Sequence, residues 1–190
     1  MESAIRGQHN ANPPPTIELA DAADVAAIVA LVNGAYRGES SRRGWSTEAD
    51  LLGGQRTDAA AIGALLAAAG TALLVARDAS GLCGCVLLEQ RANRLGYLGM
   101  LTVRPDLQGA GLGRSLLAAA ERTARGRFDA EFMEMTVIDL RRKLIAWYER
   151  CGYRQTGERR PFPYGDARFG LPLRDDLRFT VLRRRLAAPE

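Results

Sequence analysis

This 190-residue chain has one histidine and three cysteines, and Lys143 is its only lysine. Three cysteines do not make a disulfide framework. Cys83 and Cys85 lie two apart on a predicted strand and so share one face, but the single histidine, His9, is far away in the sequence. Both cysteines read as small core residues, and no metal is expected. No apolar run reaches the roughly 18 residues of a membrane span, so no membrane is expected. The first residues lack the compact apolar stretch of a secretory signal, which makes the cytoplasm the expected compartment. The net charge is +4 and the pI about 9.3. Acidic residues are mixed with the basic ones, as in Arg174-Asp175-Asp176, so no nucleic-acid partner is expected. Part of the arginine excess suits an anionic small molecule.

The remaining composition is ordinary, 47% hydrophobic and 25% charged, and the length fits one domain. Residues 1–15 are polar, have no apolar period and end in Pro13-Pro14-Pro15. They are expected to be a disordered extension before a domain over 16–186.

The stretch that organises the chain runs over 97–121. Tyr97, Leu98, Met100, Leu101 and Val103 suit a strand buried on both faces. Pro105 has no N–H to give a ladder, so the strand should stop near Arg104. Gln108-Gly109-Ala110-Gly111-Leu112-Gly113 follows, and then Leu112, Leu116, Leu117 and Ala120 fall on one helical face. A strand, a glycine-rich turn and a helix N-terminus make an anion site. The helix's first N–H groups have no internal partner, and its dipole places roughly half a positive charge there. Arg114 adds a side-chain charge. The dinucleotide fingerprint G-x-G-x-x-G fails here, because Gly109 and Gly111 are followed by Gly113 and Arg114. The P-loop pattern fails because Gln108 occupies its first glycine position.

The rest of the chain supplies a short strand at 16–19, a helix beginning after Asp21 or Asp24 that carries Ile28, Val32 and Tyr36, and a helix capped by Asp58. Strands are expected at 71–76 and 82–89, and Glu131 to Val137 alternates as another strand. It should run parallel to the strand before the glycine loop, across a right-handed crossover. A break between those strands would form a crevice, where ligands favour binding. Asp139 can cap a helix whose stripe is Leu140, Leu144, Trp147 and Cys151, with Gly152 as the C-terminal cap. Residues 157–176 read as a long loop with Phe162, Tyr164 and Phe169, and a closing strand covers 177–182. Arg42, Arg43, Trp45, Glu48 and Asp50 share a Gly-flanked segment of binding-surface composition.

Gln108-x-x-Gly111-x-Gly113 after Val103-Arg104-Pro105 resembles the acyl-CoA signature Q/R-x-x-G-x-G/A of the GCN5-related N-acetyltransferases. Leu144-Ile145-Ala146-Trp147-Tyr148-Glu149-Arg150-Cys151-Gly152-Tyr153 resembles that family's second motif, A-x-x-L-Y-E-x-x-G-F, and the two occur in the family's order. The resemblance implies an α/β fold with a mixed, mostly antiparallel central sheet, a parallel splayed pair and helices on both faces. It implies acetyl-CoA as acyl-donor substrate, transfer to a primary amine by direct attack in a ternary complex, and no metal. The donor contacts it implies are Leu101, Thr102, Val103, Gln108, Gly109, Ala110, Gly111, Leu112, Gly113 and Arg114. Tyr148 stands where the family's tyrosine gives a proton to the departing thiolate. Its phenol, with a pKa of about 10 against about 8.5 for a thiol, remains protonated at neutral pH and can hydrogen-bond to or protonate the sulfur. One departure is plain: Arg141 occupies the place of an asparagine that often contacts the pantetheine arm, so that contact is not carried over.

An acceptor like lysine, with a pKa of about 10.4, also needs a base. Glu134, on the strand beside the crevice, and Glu48, in the acceptor-side segment, are the candidates, with a water chain to bulk as the third route. Trp45 and Tyr164 are candidate acceptor contacts. The aromatic loop favours a small-molecule amine over a protein, and the family makes a homodimer reasonable. The alternative is a noncatalytic acyl-CoA-binding or interaction module on the same fold.

Overall fold

The computed structural model describes residues 13–166 and 169–187. The expected tail at 1–15 therefore lies almost wholly outside the described residues. Strands β1 (Thr16–Leu19), β3 (Thr71–Asp78), β4 (Gly81–Arg91), β5 (Leu95–Val103), β6 (Phe132–Ile138), β7 (Arg154–Pro161) and β9 (Arg178–Arg185) form one sheet in the order β1-β3-β4-β5-β6-β9-β7. Only β5 and β6 pair in parallel. A two-residue ladder joins β2 (Leu52–Gly53) to β8 (Leu171–Pro172).

Helices cover both faces. On one, α4 (Leu112–Phe128) buries Leu116, Ala120 and Ala124 against Leu74, Val86, Leu88, Leu98 and Met133. Helix α5 (Arg142–Arg150) adds Ile145 and Tyr148 to the same layer. On the other face, Ile28 and Val32 of α1 (Val25–Tyr36) and Ile62 of α3 (Ala59–Ala67) pack on Leu73, Val75, Cys85, Leu87 and Met100. A short α2 (Gly38–Ser41) follows α1. Asp21 and Asp24 form a reciprocal capping box before α1, and Asp58 accepts from the Ala61 N–H at 2.8 Å.

Several local expectations give way to tertiary structure. Cys83 and Cys85 face opposite sides of the sheet: Cys83 belongs to the α4 layer and Cys85 to the α1 layer. The pairing passes from Ala76↔Gly84 to Arg77↔Leu82, so a bulge at Cys83 reverses the alternation. The sequence also suggests a short helix over 48–52, which Ser46 or Thr47 could cap; it does not form, and a turn there leads into β2. Strand β7, which the sequence suggests only over 153–156, runs through Pro161 into the stretch expected as a loop, and a bulge interrupts it between Gln155 and Arg159. Its side chains are almost all exposed, which erases the apolar alternation that marks a strand in sequence. Helix α5 starts at Arg142 with no side-chain cap, so Asp139 does not cap it. Its most buried residues are Ile145 and Tyr148, whereas Leu140 is exposed.

Candidate active site

The glycine-rich turn owes its shape to three local features. Pro105 opens a single 3-10 turn, Pro105–Leu107, after β5 ends. Gly109 and Gly111 then adopt φ of 90° and 95°, conformations that L side chains resist. A Cβ at either would meet nothing within 4 Å, so the backbone borders open space. Gly111 is the N-cap of α4 and supplies no side-chain cap; the Arg114 N–H returns to the Gly111 carbonyl at 2.9 Å, which leaves the Leu112 and Gly113 N–H groups without an acceptor among the described residues. Gly113 serves a different end: its missing Cβ would lie 3.5 Å from the Trp147 ring, so α4 and α5 meet closely there.

The crevice arises from the sheet. β5 and β6 pair only over Leu95↔Phe132, Gly96↔Met133 and Tyr97↔Glu134. Beyond that, β5 stays with β4 as far as Val103↔Gly84, and β6 stays with β9 as far as Ile138↔Phe179. β5 bends away through a bulge that sets Met100 and Leu101 against Val86 alone, with Met100 at φ 50°. The Tyr97 and Thr136 hydroxyls bridge the opening at 2.7 Å. Tyr36 of α1 donates its hydroxyl to the Leu101 carbonyl at 3.0 Å, tying the helix to the bulge.

Two cavities meet at this split. The outer one, about 330 Å³, is lined by Leu101, Thr102 and Val103 of β5, by Gln108, Gly109, Gly111, Gly113 and Arg114 of the turn, and by Trp45, Trp147 and Tyr148. It contains no carboxylate among its lining residues, while Arg114 and Arg141 contribute two guanidiniums. The inner one, about 120 Å³, lies between the separated strands. Tyr36, Leu101, Arg141, Leu144 and Tyr148 line both. Tyr148 is 5% exposed, edge-on to Trp147 at 4.9 Å and to Tyr153 at 5.9 Å. Its hydroxyl has no hydrogen-bond partner among the described residues. Burial raises the phenol's pKa well above its ordinary value.

Most of the expected residues come together here, and some do not. Ala110 is exposed, and the Leu112 side chain enters the core, so neither lines the cavity. Trp45 stands 6.4 Å from Trp147 at the outer cavity rather than on the inner one. Tyr164 lines neither cavity; its hydroxyl accepts the Leu177 N–H at 2.7 Å, and Phe169 is the residue of that loop which reaches the inner cavity. Glu134 also lines neither. It is 2% exposed and bound by Arg160 at 2.8 Å and Arg183 at 2.6 Å, so it knots three outer strands of the sheet together. Glu48 does line the inner cavity, but Arg37 at 2.6 Å and Arg141 at 2.7 Å occupy its oxygens. Burial pushes its carboxyl up, and the two guanidiniums outweigh burial and hold it below the usual range.

Gln108 has an unexpected arrangement. Its side-chain oxygen accepts the Trp45 N–H at 3.0 Å, and its amide donates to the Val103 carbonyl at 3.1 Å. A Cβ at Gly44 would fall 2.5 Å from that oxygen, so glycine is needed for the approach. Tyr36 and Arg56 of the inner cavity carry no sequence motif; helical periodicity places Tyr36 only on an inward face. Among the described residues, no three or more His, Cys, Asp or Glu side chains are placed to hold a metal ion, and no helix is long and apolar enough to cross a membrane.

A family model described as the acetyltransferase (GNAT) family matches residues 28–153. No curated protein matches the chain significantly in sequence. Among solved structures, the chain is similar to yncA of Salmonella typhimurium, a putative acetyltransferase solved with acetyl-CoA: TM-score 0.68, 24% identity, covering 94% of this chain and 99% of that one. It is similar to a ribosomal-protein-alanine N-acetyltransferase from Brucella melitensis, with TM-score 0.67, 20% identity, and coverage of 90% and 99%. It is also similar to the spermidine N-acetyltransferase SpeG of Vibrio cholerae, with TM-score 0.65, 16% identity, and coverage of 91% and 94%. These identities show a shared fold.

Proposed function

The chain belongs to the GNAT acetyltransferase family, and from that premise we propose that it transfers an acetyl group from acetyl-CoA to a primary amine within a ternary complex, the catalytic domain spanning 16–186. One observation carries the proposal. A single cleft joins an uncapped helix N-terminus, bordered by open glycine backbone, to a buried, unpartnered phenol at the split between β5 and β6.

The outer cavity fits the donor. Pyrophosphate carries negative charge and needs close backbone approach, which Gly109 and Gly111 permit. The first-turn N–H groups and Arg114 supply donors, and no lining carboxylate opposes them. When bound, acetyl-CoA supplies a thioester whose carbonyl carbon an amine can attack, the C–N bond forming as the C–S bond breaks. The bulge at Met100–Leu101 turns β5 backbone toward the split, where an N–H of 101–103 can serve the carbonyl oxygen.

Tyr148 is the residue assigned to the sulfur. Burial keeps its phenol protonated throughout the neutral range. The same burial would raise the pKa of a thiolate beside it, so the hydroxyl first hydrogen-bonds to the sulfur and yields its proton only as the bond breaks. Neither expected carboxylate serves as base in this scheme. Glu134 is outside both cavities, and Glu48 is depressed in basicity by its two arginines. The amine's proton leaves through the cleft to bulk water instead, and Glu48 acts by positioning Arg141.

Calorimetric titration with acetyl-CoA, followed by coenzyme A thiol release over an amine panel, tests the proposal. Binding with amine-dependent release is expected. Binding without release from any amine would favour a noncatalytic acyl-CoA module, and absence of binding would reject the donor assignment.

A further inference from the structure

The inner cavity has an unusual charge balance for a site that receives an amine. Glu48 is the only carboxylate among its lining residues, which also include Arg56 and Arg141. Glu48 is also paired with Arg37 from behind, so three guanidiniums surround one carboxylate. Arg141 is engaged at both ends of its fork: Nη1 meets Glu48 at 2.7 Å, and Nη2 donates to Ser46 Oγ at 2.6 Å.

Arg56 differs. It has no carboxylate partner among the described residues, and its guanidinium lies 5.6 Å from the centre of the Tyr36 ring. Stacking on an aromatic face leaves the edge N–H fork of arginine available, in a geometry that matches a carboxylate or phosphonate. Its place is fixed from α1. The Asn33 side-chain oxygen accepts the Arg56 N–H at 2.6 Å and the Thr57 N–H at 3.2 Å, and the Asn33 amide donates to the Thr57 carbonyl at 2.9 Å. The remaining walls include Phe169, Phe179 and Met135, which suit a short apolar side chain. The volume of about 120 Å³ is below that of an ordinary ligand pocket, roughly 300 Å³ or more, so the acceptor is small.

From these observations we infer that the acceptor is a small primary amine bearing an anionic group, of the amino-acid type, and that Arg56 receives that group. The inference rests on the acetyltransferase proposal above and adds a substrate class to it. The lining holds two guanidiniums against one carboxylate whose oxygens Arg37 and Arg141 already occupy, which disfavours polyamines, whose second ammonium would find no free carboxylate. Arg56 holds the anionic end, the apolar wall takes the side chain, and the amine is left toward Tyr148 and the thioester.

The test uses the full chain in two arms. Calorimetry with acetyl-CoA reads the donor site of the wild type, Arg56→Gln and Arg56→Lys. Thiol release reads matched acceptors: alanine, valine and a short aminophosphonate, against valinamide, isobutylamine and spermidine. We expect kcat/KM to favour the anionic amines by about 100-fold or more. Arg56→Gln should raise KM for those amines by about 10-fold or more, with acetyl-CoA affinity within about two-fold and the amides unaffected. Arg56→Lys should restore part of the loss. Equal or better turnover of the amides, decarboxylated amines or spermidine overturns the inference while leaving the acetyltransferase proposal in place. So does a protein that binds acetyl-CoA but turns over none of the anionic amines, or an Arg56→Gln variant that affects all acceptors alike. Failure to bind acetyl-CoA at all rejects the underlying proposal and the inference with it.

Discussion

Replacing Tyr148 by phenylalanine removes one oxygen from the centre of the cleft and little else. The ring is 5% exposed, and its edge contacts with Trp147 at 4.9 Å and Tyr153 at 5.9 Å survive the change. Because the hydroxyl has no partner among the described residues, no buried group loses a hydrogen bond. Stability should therefore shift by no more than about 1 kcal/mol, a Tm change of roughly 2–4 °C for a chain of this size. The effect on turnover is another matter. A positioned acid contributes about 10²–10⁴ in rate, roughly 2.7–5.5 kcal/mol of barrier. Tyr148→Phe should lower kcat within that range, with KM for acetyl-CoA changing by no more than about two-fold, because the hydroxyl acts on the leaving sulfur and not on the pyrophosphate. Burial raises the phenol's pKa, so its acid form persists through neutral and mildly alkaline pH. The wild-type kcat profile should accordingly show no falling limb below about pH 10, the ordinary tyrosine value. Thiol release gives kcat and KM, and a thermal melt checks folding. A well-folded variant with kcat within about three-fold of wild type would refute the general-acid assignment.

Other perturbations separate the parts of the cleft. Gly111→Ala places a methyl at φ 95°, which costs about 1–2 kcal/mol of backbone strain and intrudes on the cradle; calorimetry should show acetyl-CoA affinity reduced about 10-fold or more. Gln108→Leu severs the tie between the Trp45 N–H and the Val103 carbonyl, two hydrogen bonds worth about 0.5–1.5 kcal/mol each, and should lower Tm by several degrees while weakening kcat/KM. Glu48→Gln leaves Arg37 and Arg141 buried without their carboxylate, a loss of about 3–5 kcal/mol readable in urea melts. Glu48's folded pKa lies below its unfolded value, so its contribution is complete above about pH 4.5 and disappears as pH falls through the folded value. The stability gap between wild type and Glu48→Gln should close on acidification, and a gap that stays constant would argue against the ion-pair account.

The glycine turn was readable because its requirements are local. Positive φ at Gly109 and Gly111, a proline that ends β5 and a helical period from Leu112 leave direct marks on consecutive residues. Tyr148 was readable because it recurs at a fixed place in a helix motif, and the parallel β5–β6 pair follows from a strand, a helix and a strand in succession. The carboxylates were not readable in this way. Glu134 and Glu48 differ only in what lies opposite them, namely Arg160 and Arg183 in one case and Arg37 and Arg141 in the other. Except for Arg37, 11 residues from Glu48, those partners are 26 to 93 residues distant.

The sequence by itself determined the family, the glycine-rich turn and the helix that carries the phenol, because torsion limits and periodicity act between near neighbours. The tertiary structure alone decided the face of Cys83, reversed by one bulge, and the exclusion of Tyr164 from the cleft in favour of Phe169. It also decided which inner-cavity arginine pairs with the carboxylate: Arg141 bonds Glu48 and Ser46, whereas Arg56, its backbone held by Asn33, lies over Tyr36. Charge acts through space, and which charges meet is settled only when the chain has folded.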